Sequence, residues 1–174
     1  VAATDHAVLT VIAPALAKIQ AAAPDAVLKL RPADSETALR MLDAGELDIV
    51  LGSGSFAEIP QRFDCQLVHQ ERFIGIARKG HPALIKRDKK LHMDLDDFAR
   101  LPHVLVSPRG DTRGAVDDAL ESLGRTRKVN VTCPSFLAVP FMVGASQSIA
   151  VVAERIALQM QETAQLSLFE LPLA

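Results

Sequence analysis

The 174-residue chain is 49% apolar and 23% charged, which is typical of a globular protein and excludes a disordered or fibrous one. Its formal charge of −2 predicts no electrostatic adhesion to DNA or to an anionic membrane. No apolar run reaches the roughly eighteen residues that a membrane span needs. The cysteines and histidines lack the spacing of a disulfide framework or a metal site, so we expect Cys65 and Cys133 to be reduced core residues and predict no metal or cofactor.

The first part of the chain alternates between helical and strand patterns. Thr4 or Asp5 can cap a first helix, which Pro14 should kink. The predicted elements that follow are a strand over 27–31, a helix capped by Ser35 and a strand over 47–51. This alternation predicts a parallel sheet covered by helices.

The pattern changes after residue 65, where two strands, over 65–69 and 72–77, lead into the charged segment 86–90. A lobe boundary here divides the chain into a first lobe, 1–72, and a second lobe, 73–167. The later predicted elements are a helix over 95–99, a strand over 103–106, a helix over 115–123 capped by Thr112, a strand over 129–133, a helix over 136–143, a strand over 149–152, a helix over 154–161 and a strand over 166–171.

Polar loops end the strands of both predicted lobes, and the sequence therefore predicts two α/β lobes with one polar edge each. These loops lie near Thr4, Ser35 and Ser53 in the first lobe, and near Ser107, Ser135 and Ser146 in the second. Ligands of open α/β folds bind at the carboxyl ends of the strands. Because helix amino termini present free N–H groups, a carboxylate or similar anion is the expected ligand.

Four stretches resemble the effector-binding domain of LysR-type transcriptional regulators. The most specific is 42–52, in which Leu-Asp-Ala-Gly-Glu-Leu-Asp precedes an apolar strand; the others are 73–82, 101–129 and 134–157. The resemblance implies a periplasmic-binding-protein-like fold of two Rossmann-like lobes joined by a hinge. Gln147 and Ala153 depart from the family pattern, and the chain ends with residues 168–174 returning toward the first lobe, before the elements that usually complete it.

The resemblance also implies a cytoplasmic transcription factor whose amino-terminal DNA-binding domain is absent here, so that DNA binding is expected only through that missing part. Homodimers or homotetramers and a small organic-anion effector in an inter-lobe cleft are implied, with no enzymatic activity and no membrane partner. The 4–6 and 134–140 segments are similar to regulators of nodulation and aromatic degradation, which makes an aromatic effector an option. The ligand-binding residues implied are Thr4, Asp5, His6, Ser35, Ser53, Ser107, Arg109, Ser135 and Phe136.

Each of these residues also has a purely structural interpretation. Thr4 and Ser135 are suited to helix caps and Ser53 to a turn, while Arg109 can pair with Asp111. A periplasmic solute-binding protein of a transporter shares the fold and stays open as an alternative. An α/β enzyme is a third interpretation, but the sequence contains no catalytic constellation that we can assign.

Overall fold

The computed structural model describes residues 1–52 and 59–173. Contacts within the chain define two compact units, Val1–Gln70 and Glu71–Ala174. The exact lobe boundary at 72/73 stays a prediction. Among the described residues, no helix has the length and apolar character needed to cross a membrane.

The first unit is built around a small parallel sheet. Its elements are β1 (Ala2–Ala3), α1 (Asp5–Ala7), a π-helical segment (Val8–Ile12), α2 (Ala13–Ala22), α3 (Ser35–Asp43) and β2 (Val50–Leu51). β1 pairs with β2 on one side and forms a parallel bridge to Arg31 on the other. Of the predicted strand 27–31, only Arg31 therefore takes part in a bridge.

The first helical run changes its hydrogen-bonding pattern before Pro14. Proline has no N–H to donate and its ring clashes with the carbonyl of the preceding turn. The Ala13 N–H instead donates to the Val8 carbonyl, and Val8–Ile12 forms a π-helical segment. The irregularity expected at Pro14 is thus a π-helical turn, which is a recognised cause of helix distortion.

The second unit contains one extended sheet. Its strands are β3 (Phe73–Arg78), β4 (Ile85–Arg87), β5 (Lys90–His92), β6 (Pro102–Val106), β7 (Lys128–Cys133), β8 (Ala150–Ala153) and β9 (Leu166–Phe169). β7 pairs in parallel with β6, and β3 pairs antiparallel with both β8 and β9. Bridges from His103 to Ile149 and from His92 to Glu170 join these groups and the β4–β5 hairpin.

Helices cover both faces of this sheet. They are α4 (Leu95–Arg100), α5 (Ala115–Ser122), α6 (Ala138–Gly144) and α7 (Glu154–Met160). One apolar cluster joins Ile76 of β3 to Val143 of α6 and Ala157 of α7. A second cluster, on the side chains that point the other way, joins Phe169 of β9 to Phe98 of α4 and Leu120 of α5. The unit is therefore a three-layer α/β structure.

Several expectations are wrong in detail. Residues 65–69 form no regular strand, and Cys65 is exposed and not in the core. The predicted return of residues 168–174 toward the first lobe stays a prediction, and Leu171 and Leu173 pack against the second cluster of the second unit. Ser146 precedes β8, which runs parallel to β6, so it lies at the opposite edge of the sheet from Ser107, which follows β6.

Two predicted helix caps are also wrong. Asp34, and not Ser35, caps α3, because its Oδ1 accepts from the N–H groups of Glu36 and Thr37 at 3.1 Å. Gly114, and not Thr112, is the cap residue of α5. Both predictions chose a hydroxyl residue close to the true cap. In each case the backbone N–H groups at the helix start donate to an aspartate instead.

Candidate functional site

The polar edge of the first unit collects the loops that follow its parallel strands. Thr4 comes directly after β1, and its Oγ1 accepts from the Ala7 N–H at 3.2 Å. Ser35 lies beside Gly52, since a Cβ added to Gly52 would be 3.8 Å from the Ser35 Oγ. The structure thus places these two predicted residues at the same edge. Ser53 lies outside the described residues.

Asp5 and His6 stand in the first turn beyond Thr4. The Asp5 Oδ1 accepts from the backbone N–H of His6 at 2.9 Å. The His6 ring lies edge-on to the ring of His69, with centroids 6.4 Å apart. His69 was not predicted as a site residue because 62 intervening positions carry no spacing signal. We assign no ion to these imidazoles.

The polar edge of the second unit is formed where β6 and β7 end. The Ser107 N–H donates to the Cys133 carbonyl at 2.9 Å, and the Cys133 Sγ lies 3.8 Å from the Ser135 carbonyl oxygen. Ser135 caps the turn that leads into α6, because its Oγ accepts from the Ala138 N–H at 3.1 Å. Phe136 follows it and is half-buried. Ser107 and Ser135 therefore meet at one edge, as predicted.

Ser107 differs from the other hydroxyl residues in its surroundings. The residue is only 6% exposed, yet its hydroxyl makes no hydrogen bond within the described part of the chain. No fully solvent-inaccessible side-chain oxygen or nitrogen in that part lacks a partner. The Ser107 Oγ is therefore reachable by solvent and remains available as donor and acceptor.

Arg109 lies in the same turn as Ser107. The Gly110 N–H donates to the Ser107 carbonyl at 3.3 Å and closes the turn. The Arg109 Nε lies 3.3 Å from Asp111 Oδ2, so the structural alternative considered for this residue is present. Its two terminal nitrogens have no partner among the residues that the structure describes, and they keep the planar donor pair that suits a carboxylate.

A buried polar network joins the amino ends of β6 and β7 to the first turn of α5. Arg127 donates from Nε and Nη2 to the two carboxylate oxygens of Asp117, at 3.0 and 2.7 Å. Its Nη1 lies 3.3 Å from His103 Nδ1, and His103 Nε2 lies 2.7 Å from the Phe98 carbonyl. Because a carbonyl can only accept, His103 Nε2 carries the proton and Nδ1 accepts from Arg127.

The burial of these groups controls their ionisation. Burial lowers the pKa of His103 from 6.5 to about 4, and the nearby Arg127 charge acts in the same direction. Burial alone would raise the pKa of Asp117, but hydrogen bonds from Arg127 and from the Gly114 N–H hold it below its usual 3.8. At neutral pH the network therefore contains a neutral imidazole beside an ion pair.

The amino terminus of α5 is occupied by its own side chain. Asp117 Oδ2 accepts from the Gly114 N–H at 2.7 Å, and Asp118 adds a second carboxylate to the first turn. Two carboxylates in the first turn make this terminus unfavourable for a further anion. Asp117 thus makes only the half of a capping box in which the side chain three residues into the helix accepts from the cap residue's N–H, and the glycine lacks the hydroxyl of the sequence signature.

Comparisons with known proteins agree on one family. The family described as "LysR substrate binding domain" matches residues 1–174. The HTH-type transcriptional activator NagR from Ralstonia sp is 28% identical over 120 residues, which are 69% of this chain and 38% of NagR. The chain thus spans less than half the length of this relative.

Solved structures show the same fold. The probable transcriptional regulator PA0477 from Pseudomonas aeruginosa matches with a TM-score of 0.87 and 26% identity, over 99% of this chain and 55% of that chain. The regulatory domain of MexT, a transcriptional activator in Pseudomonas aeruginosa, matches with a TM-score of 0.81 and 26% identity, over 99% of this chain and 80% of that chain. These similar proteins are transcriptional regulators and not transport receptors.

Proposed function

Since the chain belongs to the LysR substrate-binding-domain family and is an effector-sensing domain, we propose that its effector is a small organic anion that contacts Ser107 and Arg109. The observation that carries this proposal is the Ser107 hydroxyl, which is unpaired in a residue only 6% exposed. A hydroxyl in such a position can exchange a hydrogen bond to water for one to a ligand. It lies at the carboxyl end of β6, where α/β folds bind ligands.

The anionic character of the effector is supported by Arg109 and not by a helix terminus. The terminal nitrogens of its guanidinium can form two parallel hydrogen bonds to a carboxylate. Ser107 shares the same turn and can add a third donor. The half-buried Phe136, after β7, offers an apolar surface for an aromatic or aliphatic body.

The first unit contributes a second candidate edge to this proposal. Thr4, Asp5, His6, Ser35, Ser135 and Phe136 stay predicted ligand contacts, and the cap that Thr4 provides uses one lone pair of its hydroxyl. Ser53 also stays a prediction. Ser107 is the residue whose contribution is easiest to isolate.

The whole protein's role follows from the family as a further part of the proposal. We propose a cytoplasmic, non-catalytic regulator in which effector binding shifts the population of subunit arrangements and so repositions separate DNA-binding heads. Homodimers or homotetramers are the proposed assembly. The exposed apolar side chains of Leu16 and Ile19, 40% and 36% accessible on α2, are suited to such a contact.

A panel of aromatic and short aliphatic carboxylates, each paired with its neutral amide, tests the ligand class. We expect at least one carboxylate to raise the thermal unfolding midpoint with a saturable dose dependence, and its amide to raise it less. Stabilisation reaches about 2.7 kcal/mol at roughly a hundredfold excess over the dissociation constant. Equal stabilisation by acid and amide throughout the panel would contradict an anionic effector.

A further inference from the structure

A relay of hydrogen bonds crosses the second unit and ends at the loop that carries Ser107 and Arg109. It begins at the Phe98 carbonyl of α4 and passes through His103 of β6 to Arg127, at the start of β7. From Arg127 it continues to Asp117 and ends at the Gly114 N–H, the last residue of the loop 107–114. Four elements and one loop are thus tied together by three side chains.

The burial of this relay is not explained by a contribution to the stability of the fold. The side chains of Arg127 and Asp117 are 1% and 12% exposed, and His103 is fully buried. Removing two charges from water costs as much as their attraction returns, so that apolar residues of similar size often replace a buried pair without loss of stability. A buried ion pair does, however, fix the geometry of the groups that it joins.

The loop 107–114 depends on this geometry because few bonds hold it. Among the described residues, the backbone of 108–113 forms no hydrogen bond to any other element. The loop is attached at one end by the Ser107 N–H to the Cys133 carbonyl, and at the other by the Gly114 N–H to Asp117. Arg113 pairs with Asp118 and Glu121, but these exposed contacts attach it to α5 and not to the sheet.

We propose that His103, Arg127 and Asp117 are positioning residues that clamp the end of the loop 107–114 and so hold Arg109 and Ser107 ready for a ligand. Arg127 orients the Asp117 carboxylate through two bonds, and His103 orients Arg127 through a third. The carboxylate then fixes Gly114. The connection to ligand binding rests on the function proposed above, whereas the clamp itself does not.

Amide hydrogen exchange followed by NMR on the ligand-free chain tests the clamp. Arg127→Lys keeps the positive charge but loses the two-pronged contact with Asp117 and the bond to His103. We expect exchange of the Gly114 and Gly110 N–H groups to accelerate by about tenfold or more, as the loss of a charge-assisted bond implies. The Val152 N–H, in the sheet core, should change less than about twofold.

Two variants keep the result interpretable. Arg125→Lys makes the same substitution in an exposed ion pair with Asp96 and should leave Gly114 and Gly110 at their original rates. Asp117→Leu combined with Arg127→Met removes both charges, leaves neither uncompensated, and is the substitute if Arg127→Lys fails to fold. This double variant should accelerate hydrogen exchange of the Gly114 and Gly110 N–H groups in the same way.

Either of two results overturns the proposal. One is an unchanged exchange rate at the Gly110 N–H; the other is an equal acceleration at Gly114, Gly110 and Val152, which would indicate general destabilisation.

Benzoate serves as the probe for ligand binding. If it binds the original chain, Arg127→Lys should weaken its affinity by about tenfold, and unchanged affinity would break the link to binding. If benzoate does not bind, it is excluded as a ligand of this site. The exchange rates still test whether the three side chains clamp the loop.

Discussion

His103 shows how one residue's surroundings can override its ordinary chemistry. A histidine at the start of a strand looks in sequence like any half-exposed polar residue. In the structure it is fully buried, its ring lies edge-on to Phe98 with centroids 4.9 Å apart, and its two nitrogens contact the Phe98 carbonyl and Arg127. Each of these partners comes from a different element, so no local pattern could identify them.

The buried imidazole predicts a pH dependence of stability. The pKa of His103 is about 4 in the folded chain and 6.5 as the ordinary value, so the unfolded chain binds more protons between these limits. The free energy of unfolding should therefore rise with pH across this window, reach its full value above pH 6.5 and lose this contribution below pH 4. The difference corresponds to about 3 kcal/mol.

Chemical denaturation at a series of pH values measures this contribution. His103→Gln keeps a donor for the Phe98 carbonyl but does not titrate, so its profile should be flatter than the original between pH 4 and 6.5. Asp117 acts mainly below 3.8, because its pKa is held under that value. Identical slopes in the two proteins would show that His103 is not kept neutral by burial.

At the scale of elements, the amino-terminal caps of the helices show what the sequence predicts and what it does not. Thr4 or Asp5 was predicted to cap the first helix, and Thr4 does so. The predicted caps Ser35 and Thr112 were not correct, because the acceptor near each site is an aspartate side chain: Asp34 before α3 and Asp117 within α5. Hydroxyl and carboxylate residues are nearly equivalent as caps in sequence statistics, and only the backbone geometry decides between them.

The cap of α3 gives a direct test of this assignment. The hydrogen bond from the Thr37 backbone N–H is the first cause that lowers the pKa of the Asp34 carboxyl, because this bond favours the charged form. Asp34→Ala should destabilise the chain by about 1 kcal/mol. Ser35→Ala, one position later in the helix, should have a much smaller effect in the same urea denaturation experiment. The reverse order would mean that Ser35 is the cap after all.

Close packing adds a second feature that the sequence does not reveal. A Cβ added to Gly75 of β3 would lie 2.3 Å from the Phe169 ring of β9, so this glycine leaves the space that the ring fills. Alternating apolar residues predicted strands over 72–77 and 166–171, close to their observed positions. Their pairing as antiparallel neighbours, and hence the need for glycine, depends on contacts between residues 88 to 94 positions apart.

At the scale of the whole molecule, alternating helices and strands were enough to predict an α/β protein, and the family motifs were enough to predict its class. Both predictions are confirmed by the family match over residues 1–174. The two units differ in their described cores: the buried apolar side chains of the first are mainly alanines with Ile12 and Leu47, whereas the second buries Phe98, Phe169 and several Ile and Val residues.

The candidate site was predicted as a set of strand-end loops but not in its chemistry. Polar residues after apolar strands correctly placed Ser107 and Ser135 at one edge. The same reasoning placed Ser146 there, because it did not establish which strand end each loop occupies. It also assigned anion binding to the start of α5, where Asp117 already sits. The function proposed for this edge now depends on Ser107 and Arg109.

The most direct test of that function is a binding titration of Ser107→Ala with the most stabilising carboxylate of the panel. We expect the affinity to fall by about tenfold, as the loss of one hydrogen bond to a charged group implies. Ser122→Ala, which removes an exposed hydroxyl bonded to the Ala119 carbonyl, should bind as the original chain does. Undiminished binding by Ser107→Ala would contradict the proposed site.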